Sequence, residues 1–314
     1  MRQSAKLIRV VPFCFLFLLF SCSINIRSVQ DIKPDDILSA KPEEKPEERA
    51  EEKPEEKPEE IFEEKPKEVI TEEAVNVISA RLANALSGSK LPQNNLEKIK
   101  ENVLQSSDFI NELQAILLTD SYLWVLVDKE HPLGARYEPD DLVQLKNGSY
   151  ALNNNEDLML RGMAADSLEE MAFAAGREGI TLIVSYAYRS YTRQNQSYSM
   201  HVRNMGQREA DRISARPGYS QHQLGLTIDF GSVNNTFAGT PQGLWLLKNA
   251  SRFGWSLSYP SGYEAVTGYS WESWHYRYVG VELADFINKY FNGIQQYALR
   301  FIHEYVNFKQ TVDF

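Results

Sequence analysis

Between Ile32 and Glu68 the chain repeats Lys-Pro-Glu-Glu and has almost no apolar residue to bury. Such a segment cannot offset the entropy of ordering its backbone, so it is expected to stay unfolded. Regular proline and self-repelling charge keep it extended, as a spacer over residues 23–68. An acidic binding tail is the other reading of the same run. From Lys41 to Glu68 there are 13 Glu against 6 Lys and 1 Arg, a net −6, so only about −4 of the formal −10 is left elsewhere. That balance is ordinary for a soluble domain and offers no clustered basic surface, so no nucleic-acid partner is expected.

Arg2, Lys6 and Arg9 precede the apolar run Val10 to Phe20, which is too short to span a bilayer as a mature helix. Residues 1–22 therefore read as a signal peptide. Leu19-Phe20-Ser21-Cys22 resembles a lipobox, implying cleavage before Cys22 and lipidation of its thiol, although Phe20 is bulkier than usual there. Simple secretion and an uncleaved anchor are the alternatives. The expectation is an exported lipoprotein, membrane-anchored through Cys22 and facing the periplasm or cell wall. Cys14 and Cys22 are the only cysteines. The folded part thus has no disulfide and no thiolate, and its chemistry must use oxygen and nitrogen.

Residues 69–118 read as a helical segment. Val75, Ile78, Leu82 and Leu86 share one face, Leu96, Ile99, Val103 and Ile110 another, and Leu91-Pro92 parts them. This segment is either a small hairpin or an N-terminal extension packed on the larger domain. Residues 119–314 read as that domain, a compact α+β unit with a small antiparallel sheet flanked by helices. Strands are expected at Tyr122–Val127, Thr181–Tyr186 and, half-buried, Leu226–Phe230. Helices are expected at Met159–Gly179, near Ser190–Glu209, at Leu244–Phe253 and over Glu282–Tyr305 with a break at Asn292-Gly293.

The segment richest in chemistry is Ser220-Gln221-His222-Gln223-Leu224-Gly225-Leu226-Thr227-Ile228-Asp229. Gly225 lets the chain turn so that His222 approaches Asp229 on the strand, and a third donor would come from Glu272-Ser273-Trp274-His275. Hydrolytic zinc commonly keeps three protein ligands and a water, and a carboxylate outside the ligand set can take the water's proton. Glu272 suits that role. Taken singly, each histidine is more often a hydrogen-bonded structural residue. With only His131, His201, His222, His275 and His303 present, few pairings arise by chance. Trp245, Trp255, Trp271 and Trp274, near these motifs, read as core or pocket wall.

Three motifs occur in order. Pro217-Gly218-Tyr219-Ser220-Gln221-His222 with Gly225 and Asp229 resembles the Ser-x-His-x6-Asp motif of the VanY-type zinc D,D- and L,D-carboxypeptidases, which trim bacterial peptidoglycan. Glu272-Ser273-Trp274-His275 resembles their Glu-x-Trp-His motif, and Tyr188-Arg189-Ser190-Tyr191-Thr192-Arg193-Gln194 their Tyr-Arg-Ser-Tyr-x-x-Gln segment. Val127–Leu133 and Trp255–Pro260 are fainter echoes, and the likeness spans about Tyr122 to Gly280.

The resemblance implies zinc (Zn2+) on His222, Asp229 and His275, with Glu272 as catalytic base. It implies that Arg189 binds substrate or the developing oxyanion, that Ser220 and Gln194 grip the terminal carboxylate, and that Tyr259 lines the substrate pocket. Two departures stand out. Ser185-Tyr186-Ala187 replaces smaller residues and narrows the rim, and Thr227 replaces a commoner Ala. The expected reaction removes a terminal D-Ala from a stem peptide through a water activated by Glu272. The same residues would serve a D-Ala-D-Ala dipeptidase or an endopeptidase, and a noncatalytic wall-binding lipoprotein is the reading from another class.

Overall fold

A computed structural model describes residues 72–153 and 157–308. The expected signal peptide, Cys22 and the spacer at 23–68 lie outside the described residues. Four helices open the described part: α1 (Glu72–Gly88), α2 (Gln93–Gln105), α3 (Asp108–Leu117) and one turn, α4 (Ser121–Trp124). Leu91-Pro92 does part α1 from α2. The second helical stretch is itself broken at Ser106-Ser107, where Ser106 is extended and its hydroxyl accepts the Asp108 N–H at 3.3 Å. Serine competing for backbone donors is a common helix interruption.

The strand expected at Tyr122–Val127 is not formed: α4 occupies its start. The carbonyls a ladder would use are taken by a side chain. Fully buried Arg277 donates Nη2 to Tyr122 O, Leu123 O and Val125 O at 3.0–3.1 Å.

The rest is α+β: β1 (Leu142–Gln144), β2 (Ala151–Leu152), β3 (Met159–Arg161), α5 (Gly162–Arg177), β4 (Ile183–Tyr186), α6 (Tyr191–Met205), α7 (Gln207–Ile213), β5 (Thr227–Phe230), α8 (Pro241–Asn249), β6 (Trp255–Tyr259), α9 (Glu264–Thr267), β7 (Glu272–Tyr278), α10 (Val281–Phe291) and α11 (Gln295–Val306). The main sheet runs β2-β4-β5-β7-β6, and β1 pairs with β3 apart from it. The sheet is mixed rather than wholly antiparallel, because β2 lies parallel to β4. The helix expected from Met159 starts only at Gly162, since Met159–Arg161 pair with β1. The polar helix after Ser190 stops at Gly206 (φ 80°) and resumes as α7. The 244–253 helix begins at Pro241 and tightens to a 3₁₀ turn over Ala250–Phe253, ending at Gly254 as expected.

β5 was expected to be half-buried, yet all four of its residues are buried. It is central in the sheet. Leu168, Met171 and Ala175 of α5 share one core with Ile228, Phe230, Trp255 and Tyr276. A second core joins Phe109 and Leu113 of α3 to Phe286 and Tyr290 of α10 and Phe301 of α11. The leading helices are thus an extension packed on the C-terminal pair. Among the described residues no helix is long and apolar enough to cross a membrane.

Candidate metal centre and its groove

His222 sits in a 3₁₀ turn, Gln221–Leu224, whose cap is Ser220: its hydroxyl accepts the His222 N–H at 3.3 Å. Gly225 closes the turn at φ 71°, a left-handed conformation natural to glycine. A Cβ there would lie 2.8 Å from Leu142 Cδ2. The chain then enters β5, which carries Asp229 directly opposite His275 of β7. A turn and two paired strands therefore aim three side chains at one point. His222 Nε2 lies 3.2 Å from Asp229 Oδ2, and His275 Nδ1 lies 3.0 Å from Asp229 Oδ1. One donor atom from each residue lies within 4.8 Å of the others, and all three residues are buried.

Glu272 and His275 are three apart and in a regular strand would face opposite ways. The β6–β7 register prevents that. Leu257 pairs with Tyr276 but Tyr259 with Glu272, so β7 holds two more residues than β6 between those pairs. Such irregularities re-aim side chains. Here Glu272 Oε2 reaches within 3.3 Å of His275 Nδ1.

The hydrogen bonds behind the cluster decide what it can hold. His222 Nδ1 meets Ala187 O at 2.7 Å, so that nitrogen carries the hydrogen and Nε2 turns its lone pair to Asp229. His275 Nε2 faces Gln221 Oε1 at 3.4 Å, which leaves Nδ1 toward Asp229. Asp229 Oδ1 is buried and meets no donor beyond the His275 ring nitrogen among the described residues. With both rings neutral, two imidazole lone pairs and a buried carboxylate fit a cation, and a metal ligand's far nitrogen is normally held in this way.

In the metal-free cluster a proton on His275 takes the cation's place between Asp229 and Glu272. Burial pushes His222 down to about 4. For His275 burial works the same way but is outweighed by Asp229 and Glu272, which raise it to about 9. Burial would lift Asp229, yet the two imidazoles hold it well below the usual carboxylate range. Burial also pushes Glu272 upward, partly offset by His275.

A groove of about 940 Å³ opens onto the cluster. Arg189 enters it after β4, with its N–H on His222 O at 3.1 Å and Nη1 donating to Gln194 Oε1 at 3.1 Å. Gln194 is buried and donates Nε2 to Ala215 O at 2.6 Å, so it braces the guanidinium. Tyr186 is 38% exposed, and the Arg189 guanidinium lies 5.6 Å from its ring centroid. Tyr259 is buried with its ring 4.7 Å from that of His275. Ser220, Gln194, Tyr259, Trp271 and Trp274 all line the groove. Trp255, by contrast, is core, its indole N–H donating to Ser167 Oγ at 3.0 Å, and Trp245 is buried in the same core. The structure thus brings every expected site residue of the domain to one place. Sequence reasoning assigned no role to Gln221, Ala187, Ser258 or Gln295, which support the cluster from behind. Only Gln221 carried a local signal, its place beside His222.

The profile of the VanY family, described as D-alanyl-D-alanine carboxypeptidase, matches residues 157–281. The chain is 34% identical over 202 residues to YodJ of Bacillus subtilis, whose name assigns it only provisionally to the carboxypeptidases, covering 62% of this chain and 73% of that protein. It is 33% identical over 169 residues to a D-alanyl-D-alanine carboxypeptidase of Enterococcus faecalis, covering 51% of this chain and 59% of that one. Among solved structures, the LD-carboxypeptidase LdcB is similar with a TM-score of 0.50 and 34% identity, over 55% of this chain and 86% of that one. A vancomycin-resistance D,D-pentapeptidase VanY, solved with Zn(II), gives a TM-score of 0.47 at 30% identity, over 59% of this chain and 99% of that one. Fold, site and relatives together define a peptidase class, and this chain belongs to the VanY D-alanyl-D-alanine carboxypeptidase family.

Proposed function

We propose that the protein is a zinc carboxypeptidase removing a terminal D-Ala from peptidoglycan stem peptides, D,D- or L,D-specific, with Glu272 as general base. The observation that carries this reading is the place of Glu272. It lies 3.3 Å from His275, yet is not one of the three residues whose donor atoms converge. His222, Asp229 and His275 would hold the ion, since two imidazoles and one carboxylate are a ligand set that hydrolytic zinc uses. When bound, zinc supplies a Lewis acid and makes water more acidic. Burial raises the Glu272 carboxyl, which suits a group that takes a proton and returns it to a leaving amine. Arg189 offers a permanently charged, two-pronged donor to a terminal carboxylate or to charge developing on the scissile carbonyl. Ser220, Gln194 and Tyr259 border the place where that terminus would sit.

The groove runs beyond the cluster along α6, past Met200 and His201. Its length favours a stem peptide over a free dipeptide. The intact donor set and Glu272 count against a noncatalytic wall binder. The test is incubation of the zinc-loaded protein with defined tetra- and pentapeptide muropeptides, followed by mass analysis. Loss of a single alanine from one of them is expected. Cleavage of neither, or release of a D-Ala-D-Ala dipeptide, overturns the proposal.

The proposal extends to location: an exported protein tethered by lipid on Cys22. Support comes from Arg2, Lys6 and Arg9 ahead of the apolar run that ends in Leu19-Phe20-Ser21-Cys22. Cys22→Ala is expected to move the protein into the soluble exported fraction, whereas unchanged membrane retention points to an uncleaved anchor.

A further inference from the structure

Behind His275 lies a row of buried polar groups that the reaction does not use. Gln221, Ser258 and Gln295 are each no more than 2% exposed. Their hydrogen bonds run in one direction. Gln295 of α11 donates Nε2 to the backbone carbonyl of Ser256 on β6 at 3.2 Å. Gln295 Oε1 then accepts Gln221 Nε2 at 3.3 Å. Gln221 Oε1 accepts the Ser258 hydroxyl at 2.7 Å and faces His275 Nε2 at 3.4 Å.

The row has a fixed polarity because it starts on a carbonyl. A backbone oxygen only accepts, so Gln295 must present its NH₂ to Ser256 O and its oxygen to Gln221. Gln221 must then present its own NH₂ to Gln295 and its oxygen to His275. A carbonyl oxygen facing Nε2 requires hydrogen there. In the neutral ring, the form that binds a metal, that leaves the lone pair on Nδ1, the atom 3.0 Å from Asp229 Oδ1. Turning either amide over would set two oxygens or two NH₂ groups against each other in a dry interior, at the cost of an unmade buried hydrogen bond.

We infer that Gln221 and Gln295 are positioning residues for the metal centre: a directed amide relay from Ser256 O fixes the His275 tautomer and so sets affinity for the ion. The inference rests on the reading of this cluster as a zinc site. It ties the centre to α11, which also packs against α1 and α10.

The test is zinc affinity of the full-length protein by competition with a chromogenic chelator, alongside thermal unfolding of the metal-free form. Gln221→Leu removes the acceptor and is expected to weaken zinc about 10–100-fold, the usual cost of losing a partner behind a ligand. Gln221→Glu keeps an oxygen toward His275 but loses the donor to Gln295. It is expected to hold zinc more tightly than Gln221→Leu does, while unfolding at a lower temperature than the parent. Gln295→Met touches no ligand and is expected to weaken zinc about tenfold, at the low end of that range. Parental affinity in Gln221→Leu overturns the relay, and so does equal weakening by Leu and Glu, which marks packing alone. Should Gln221→Leu not fold, Gln295→Met decides: weakening supports the relay and parental affinity overturns it. A parent protein that binds no zinc overturns the metal reading itself, and the relay with it.

Discussion

Two buried aspartates each stand beside an edge-packed pair of histidine rings. Asp128 bonds His131, whose ring centroid lies 4.5 Å from that of His303; Asp229 lies between His222 and His275, whose centroids are 4.9 Å apart. The residue types match, and the surroundings do not. Asp128 Oδ1 accepts the N–H groups of Glu130 and His131 and the ring of His131 at 2.7–3.0 Å, while Oδ2 accepts Gln296 Nε2 at 2.6 Å. Both of its oxygens are thus occupied. Asp229 Oδ1 meets no donor beyond the His275 ring nitrogen among the described residues, and Oδ2 faces the His222 ring nitrogen. Burial resists ionisation at both, yet both carboxyls are held below their ordinary range, Asp128 by hydrogen-bond donors and Asp229 by the imidazoles beside it. A filled carboxylate is a structural knot, and one left open among imidazoles is a ligand.

The largest effect that separates the two is on metal. Asp229→Asn is expected to abolish both zinc retention and turnover, while Asp128→Asn keeps the zinc content of the parent. Equal zinc content in Asp229→Asn and the parent, by elemental analysis, would erase the distinction.

Stability is the smaller effect and falls on the other residue. Asp128→Asn can keep its oxygen toward the Glu130 and His131 N–H groups but then sets its NH₂ against Gln296 Nε2, and is expected to cost about 1–3 kcal/mol in urea unfolding, the penalty of a buried donor left unsatisfied. Its pH dependence has a definite sign. The folded carboxyl titrates below its ordinary 3.8, so its stabilisation is complete above that value and is lost as pH falls toward the folded pKa. The gap between parent and Asp128→Asn is therefore expected to narrow below pH 3.8 and to stay level above it. A gap that widens on acidification contradicts the assignment.

What the sequence made legible was local. His222, Gly225 and Asp229 lie within eight residues, so turn chemistry and strand period suffice to bring them together, and Glu272 and His275 lie within four, close enough to share a site. The elements that went astray depend on distant partners. Tyr122–Val127 has strand composition, but Arg277 takes its carbonyls. The irregular β6–β7 register that turns Glu272 toward His275 has no signal in either strand alone. Thr227–Phe230 alternates like a half-buried strand, yet β4 and β7 flank it and both faces are covered. Gln295 meets Gln221 across 74 positions, a distance no periodicity reaches.

The central claim is that binding the ion and moving the proton belong to different carboxylates. Glu272→Gln separates them when rate and bound zinc are measured on the same sample. The amide keeps shape and hydrogen bonding but takes no proton, and general base catalysis contributes about 10²–10⁴-fold. Parental zinc content with turnover reduced by at least about 10² is expected. Turnover above about a tenth of the parent's would assign the proton to another group, and zinc released from the variant would make Glu272 a ligand.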